Sequence, residues 1–310
     1  MIRRNRRSKN VSYLIAPLVL IAAIISVVLF FKLTKEEQYL QSNKPVINNE
    51  KDYVVDNSSS NTNSEGDKED INSQLNNDSN KVENKDYVHD AREIQDRLSQ
   101  GNYSNDGKKM VFLTFDDGTS TTVTPEILDI LDQEGVKATF FLVGSVIESG
   151  GDAAKELVKR EYKSGHAIGS HSYSHDYSYL YPGRTLNLDN FIADYNKNMQ
   201  ELRSILGQDF NTKIVRCPGG YMSWNGMAPL KEYLNSNGIS TIDWNCLDGD
   251  AEGKVRNADE LVNYTIQTSS GYDVVVVLMH DTYGKEETAK ALPRIIKYFK
   301  DNGYEFKTLG

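Results

Sequence analysis

From Met110 onward, short apolar runs of strand length alternate with longer stretches of helical periodicity, and this alternation restricts the fold more than any other feature. The spacing predicts strands at 110–115, 138–143, 166–170, 213–216, 239–244 and 273–279, with a last short one at 304–306. Helices fit between them at 125–133, 152–163, 188–206, 228–237 and 258–268, and after them at 287–300. Strand–helix–strand repetition implies an α/β fold with a parallel sheet and crossover helices. Six or seven such units in about 205 residues fit a small (β/α) barrel better than an open sheet, though periodicity alone does not close it.

The residues ahead of this region have another character. Residues 1–10 hold Arg3, Arg4, Arg6, Arg7 and Lys9, and 11–31 form an uncharged, mostly apolar run. Twenty-one residues at ~1.5 Å each span ~31 Å, the thickness of a bilayer core. The run ends Leu29-Phe30-Phe31-Lys32 with no small-residue cleavage site, which weighs against a cleaved secretory signal. Basic residues before it put the N-terminus in the cytoplasm. The expectation is a single-pass anchor in the cell membrane, with the folded domain outside. Residues 32–105 are rich in Asn, Ser, Asp, Glu and Lys, and read as a disordered linker leading to a domain over 106–310. His89, in that linker, reads as a solvated side chain without a partner. The net charge of −9 argues against nucleic acid as a partner.

Two short strings carry the chemistry. Thr114-Phe115-Asp116-Asp117-Gly118 and His171-Ser172-Tyr173-Ser174-His175 supply one carboxylate and two imidazoles able to hold a metal. Asp116 is then left over for proton chemistry, and a metal with a spare base beside it is a hydrolytic apparatus. Each string has a plainer reading in isolation. Asp-Gly is a common turn, the two histidines could be surface polars, and His280, ending an apolar run, could be a satisfied core residue. What favours a site is position. Asp116, Asp117, His171, Arg216, Trp244 and His280 all end predicted strands, at the rim where barrel enzymes assemble their chemistry. His166 precedes its strand and reads as structural. Cys217 and Cys246 also sit at strand ends; outside the cell a disulfide between them is permitted, and two free thiols are equally compatible.

With these strings stand three more: Arg216-Cys217-Pro218-Gly219-Gly220, the run Asp243–Asp250, and Leu278-Met279-His280. In this order they resemble the polysaccharide deacetylase family (carbohydrate esterase family 4, the NodB-homology domain), over 109–310. The resemblance extends to membrane-anchored peptidoglycan N-acetylglucosamine deacetylases. It implies a distorted (β/α)7-8 barrel in which Asp117, His171 and His175 bind a divalent metal; two imidazoles and a carboxylate suit zinc first, and also cobalt, manganese or iron. Asp116 would be the base, and His280 the acid that protonates the departing amine. Arg216 would pair with Asp116 and Asp250 with His280. A backbone N–H near Gly219 would hold the oxyanion, and Leu278 would wall the slot for the acetyl methyl. The family commonly has Tyr where this chain has Gly219, and a Trp where it has Ala251; Trp244 could fill part of that space. The implied activity is removal of N-acetyl groups from the glycan strand of peptidoglycan. The alternatives are an O-acetyl esterase, a chitin- or xylan-type deacetylase, or an inactive wall-binding pseudoenzyme.

Overall fold

A computed structural model describes residues 86–310. The basic segment 1–10, the expected anchor 11–31 and most of the expected linker lie outside the described residues. The first elements are β1 (Val88–His89), α1 (Ala91–Gln100), β2 (Met110–Asp116), α2 (Val123–Glu134), β3 (Thr139–Leu142) and α3 (Gly144–Lys163). Next come β4 (Ala167–Ser170), α4 (Tyr177–Leu180), α5 (Leu188–Leu206), β5 (Ile214–Val215), α6 (Ala228–Ser236) and β6 (Ser240–Thr241). The last are β7 (Cys246–Leu247), α7 (Ala258–Ser269), β8 (Val274–His280), α8 (Glu286–Asp301), β9 (Glu305–Phe306) and β10 (Thr308–Leu309). Among the described residues no helix is long and apolar enough to cross a membrane.

The main sheet has eight strands in the order β6-β5-β4-β3-β2-β8-β7, with β9 also on β2, and its pairings are parallel. The α/β alternation holds, but the expected barrel does not close: the terminal strands β6 and β7 do not pair. The reason is chain length. Parallel neighbours need a crossover of about a dozen residues, and only residues 242–245 separate Thr241 from Cys246. Asn245 tidies this seam: its Nδ2 donates to Val274 O (2.8 Å), and Val276 N donates to its Oδ1 (2.8 Å).

Side-chain alternation along the strands sorts the core into two layers. Val111, Leu113, Phe115, Phe140, Leu142, Val275, Val277 and Met279 pack outward, under the helices. Phe112, Phe141, Ile214, Ile242, Val274 and Val276 fill the inside of the curl. Gly169 makes that filling possible, since a Cβ there would come within 2.5 Å of the Phe141 ring. One step further along β2 the inward residues become polar, beginning with Thr114 and Asp116, so the lumen changes from oil to chemistry toward its C-terminal rim.

The N-terminal mouth of the lumen is stoppered by α1, which corrects the expected linker 32–105 and the domain start at 106. Ala91 and Ile94 are buried with Leu309 against Phe112, Phe141 and Val274. Asp90 caps the helix by accepting from Arg92 N (2.7 Å), and Gly101 ends it at φ 65°. β1 pairs in parallel with β10, and His89 packs edge-on to Phe112 (5.7 Å) with Glu93 at 3.2 Å, so it is not the unpartnered side chain expected. Ile94 has no exposed surface. Ile94→Ala is therefore expected to lower stability by ~2–5 kcal/mol, read as a fall in the urea midpoint of the full chain; an unchanged midpoint would mean α1 is only a surface appendage.

Candidate metal centre

The loops after β2 and β4 bring Asp117, His171 and His175 together: one ligand atom from each lies within 4.8 Å of the others. His171 Nε2 is 3.5 Å and His175 Nε2 3.3 Å from Asp117 Oδ1. The backbone is bent to achieve this. Asp117, Ser172 and His175 have φ of 66°, 69° and 51°, a left-handed region that residues with a Cβ rarely enter and that clusters at functional sites. Side-chain hydrogen bonds hold the strained loop. His175 N donates to Ser172 Oγ (3.0 Å), while Tyr173 N and Ser174 N donate to Asp194 Oδ2 (2.6 and 3.1 Å).

These three residues fit a divalent cation on their own chemistry. Burial drives His171 down to about 3, so the ring is neutral. Its Nδ1 lies 2.8 Å from Arg216 O, which fixes the N–H there and leaves Nε2 bare toward Asp117. Asp117 Oδ1 is buried and has no hydrogen-bond partner among the described residues, an orphaned acceptor that a cation would satisfy. Two imidazoles and a carboxylate leave coordination positions open, as in a catalytic rather than a structural site.

Asp116 and His280 flank this cluster, each held by its own partner. Arg216 Nη1 donates to Asp116 Oδ1 (2.7 Å) and to Thr114 Oγ1 (2.8 Å), and its Nε donates to Ile242 O (2.8 Å). The guanidinium is fully buried and lies 4.2 Å from the Phe141 ring centre, with Trp244 at 5.6 Å. Burial raises the Asp116 carboxyl above its ordinary value, and Arg216 pulls against that rise. Asp116 Oδ2, its other oxygen, is 3.6 Å from His171 Nε2 and so faces the cluster.

His280 ends β8, opposite Asp116 in register. Its Nδ1 is 2.7 Å from Asp250 Oδ1, and its backbone N donates to Asp250 Oδ2 (3.0 Å). Thr288 Oγ1 also donates to Asp250 Oδ2 (2.9 Å). Burial alone would depress the imidazole, but the hydrogen bond and charge of Asp250 outweigh it and raise His280 to about 9. Asp250 is held below its ordinary value: burial pushes it up, and the His280 hydrogen bond and charge more than reverse that. His280 Nε2 makes no hydrogen bond among the described residues and lies 3.9 Å from Asp117 Oδ2. Leu278, two residues earlier on the same inward face, is nearly buried, and Gly219 sits half-buried at φ 75°.

Cys217 and Cys246 are not bridged. Cys217 follows β5 by two residues and Cys246 opens β7, near opposite ends of the sheet order, and both point outward, Cys217 to Thr241 Oγ1 (3.8 Å) and Cys246 to Thr265 O (3.6 Å). His166 is buried and structural, accepting at Nδ1 from Ala138 N (3.1 Å). Several supporting residues escaped the sequence reading. Asp194 and Asn198 are buried one turn apart on α5, and Asn198 Nδ2 donates to Leu142 O (2.9 Å) and Ser170 Oγ (2.8 Å). Polar residues at i, i+4 on the apolar face of an amphipathic helix were the available signal. Asp281 is buried below the Asp117 turn, accepting from Thr124 Oγ1 (2.6 Å), and burial raises its carboxyl to about 7.

The polysaccharide deacetylase family model matches residues 103–239. A peptidoglycan-N-acetylglucosamine deacetylase of Bacillus cereus is 30% identical over 205 residues, which cover 65% of this chain and 87% of that protein. The chain belongs to the polysaccharide deacetylase family. Its similarity to a solved CE4 esterase of Streptococcus mutans reaches 38% identity and a TM-score of 0.67, over 73% of this chain and 93% of that one. The fold of this domain is thus shared with a solved CE4 esterase. The peptidoglycan-N-acetylglucosamine deacetylase PgdA of Listeria monocytogenes is 34% identical over 204 residues, 65% of this chain. The match covers only 38% of that Listeria protein's length.

Proposed function

We propose that this polysaccharide deacetylase is a metal-dependent hydrolase of N-acetyl groups on peptidoglycan amino sugars, N-acetylglucosamine foremost, with zinc as its ion. The relatives that bear that name support the substrate. The observation that carries the chemistry is the separation of base from acid: Asp116 bonded to Arg216, and His280 bonded to Asp250, on either side of one ligand cluster. Amide hydrolysis needs both, because an amine leaves poorly unless it is protonated.

Asp117 Oδ1, His171 Nε2 and His175 Nε2 would hold the ion. When bound, it supplies Lewis-acid polarisation of the acetyl carbonyl and of water. Asp116, oriented by Arg216, accepts the proton of the attacking water at its cluster-facing oxygen. A backbone N–H beside Gly219 donates to the oxygen that gains charge. As the C–N bond breaks, His280 donates its Nε2 proton to the sugar nitrogen, and Asp250 stabilises the imidazolium before transfer. Acetate and a free amine result. Leu278 and Trp244 exclude water around the acetyl methyl.

We further read residues 11–31 as a membrane anchor, with the domain acting outside the cell on wall polymer near the membrane. The uncharged run behind basic residues supports this, and fractionation of cells with protease access to the intact surface tests it. The activity test is acetate release from peptidoglycan by the full chain. Release is expected with Zn²⁺, lost on chelation and regained on adding the ion back; no release with any divalent ion rejects the reading.

A further inference from the structure

The pocket beside Gly219 is walled from outside its own loop. A Cβ built on Gly219 would lie 3.1 Å from Trp224 Cζ2 and 3.4 Å from the Tyr177 hydroxyl, so rings from two other segments already occupy that flank. Tyr177 opens α4, two residues after His175, and its ring centre is 5.2 Å from the His175 imidazole and 5.1 Å from the Trp224 ring. Trp224 is fixed from three sides. Its Nε1 donates to Pro218 O (2.8 Å), Tyr181 stacks on it at 4.2 Å and 9°, and the Arg184 guanidinium lies 5.3 Å away.

Tyr177 differs from Tyr181 in being open to solvent. It is 44% exposed, and its hydroxyl makes no hydrogen bond among the described residues. An aromatic face with a free donor at its edge matches a pyranose, which offers an apolar C–H face ringed by hydroxyls. The ring spans the gap between a metal-ligand imidazole and the backbone at Gly219, where the sugar bearing the reacting acetyl group must lie.

We propose that Tyr177, braced by Trp224, is a specificity-determining residue: its ring stacks on the N-acetylated sugar entering the pocket, and its hydroxyl donates to that sugar. This rests on the deacetylase reading above, because it assumes that a sugar enters between Gly219 and the metal ligands. Trp224 then acts as a positioning residue for Tyr177.

The test uses the full chain and chitotetraose, an N-acetylglucosamine tetramer, following acetate release, calorimetric binding of the tetramer and calorimetric binding of Zn²⁺. Tyr177→Ala is expected to raise KM and the tetramer Kd about tenfold with a smaller effect on kcat, while Zn²⁺ affinity stays as in the parent. Tyr177→Phe, which keeps the ring, is expected to raise both about threefold through loss of one hydrogen bond. An unchanged KM in Tyr177→Ala, or a loss of Zn²⁺ affinity that matches the rise in KM, overturns the assignment. A parent chain that binds the tetramer through Tyr177 but releases no acetate would instead sink the deacetylase reading and leave the sugar wall standing.

Discussion

His280→Ala is expected to lower kcat on an N-acetylated glycan by at least ~10²-fold, the usual worth of a positioned general acid. The basis is geometric. One ring nitrogen is committed to Asp250 at 2.7 Å and the other faces the ligand cluster, 3.9 Å from Asp117 Oδ2, so the proton to be donated has a defined site. Asp116→Ala should cost a comparable factor, and steady-state acetate release from each variant is the measurement. Near-parent turnover in either variant would reject its role.

The same geometry sets a pH signature. His280 is raised from an ordinary 6.5 to about 9, so its bond to Asp250 contributes stability in full below about 6.5 and loses it as pH rises through about 9. The acid is likewise in its active form on the acidic side of that step. The alkaline limb of kcat/KM should therefore follow His280, at a pH lowered by a dication at Asp117, since like charge disfavours the imidazolium. Asp250→Asn should move the limb to lower pH by removing the charge that raises it. A limb that stays in place in Asp250→Asn would assign it to some other group.

Arg216→Met is the substitution with the largest expected cost to stability. It deletes a fully buried guanidinium and leaves Asp116, itself 2% exposed, without its partner. Breaking a buried ion pair from one side costs ~3–5 kcal/mol, because the surviving charge stays desolvated. The loss here extends to Thr114 and the carbonyl of Ile242, which the same guanidinium ties together. Urea unfolding of the full chain should show the fall, and an Arg216→Met/Asp116→Leu chain should recover much of it while remaining inactive. Equal stability of the single variant and the parent would show that the pair contributes nothing net. Activity should collapse in both variants, since Asp116 is lost or left unoriented.

Much of this site was legible in the sequence because strand ends are legible. Asp116, Asp117, Arg216 and His280 follow apolar runs whose length and alternation fix the register, and register fixes which way the next side chain points. The paired partners Arg216–Asp116 and Asp250–His280, by contrast, rested on a family likeness, since nothing local indicates contacts between residues 100 or 30 positions apart. The short elements were harder. β7 spans only Cys246–Leu247, too few residues for any period, so the sheet's unclosed seam could not be anticipated. In α1 the apolar residues on the core are Ala91, Ile94 and Leu98, within a segment as polar as the residues before it, and the helix vanished into the linker. Asp194 and Asn198 went unnoticed because a buried polar residue on a helix announces itself only once its acceptor or donor is known.

The stopper formed by α1 gives the domain two unlike ends. β1 and α1, the first elements of the described residues, lie with β10 at the pole away from the histidines. Any pull arriving through them is borne by that pole. On the proposed reading of residues 11–31 as an anchor, that load bypasses the loops of the metal centre at the opposite mouth.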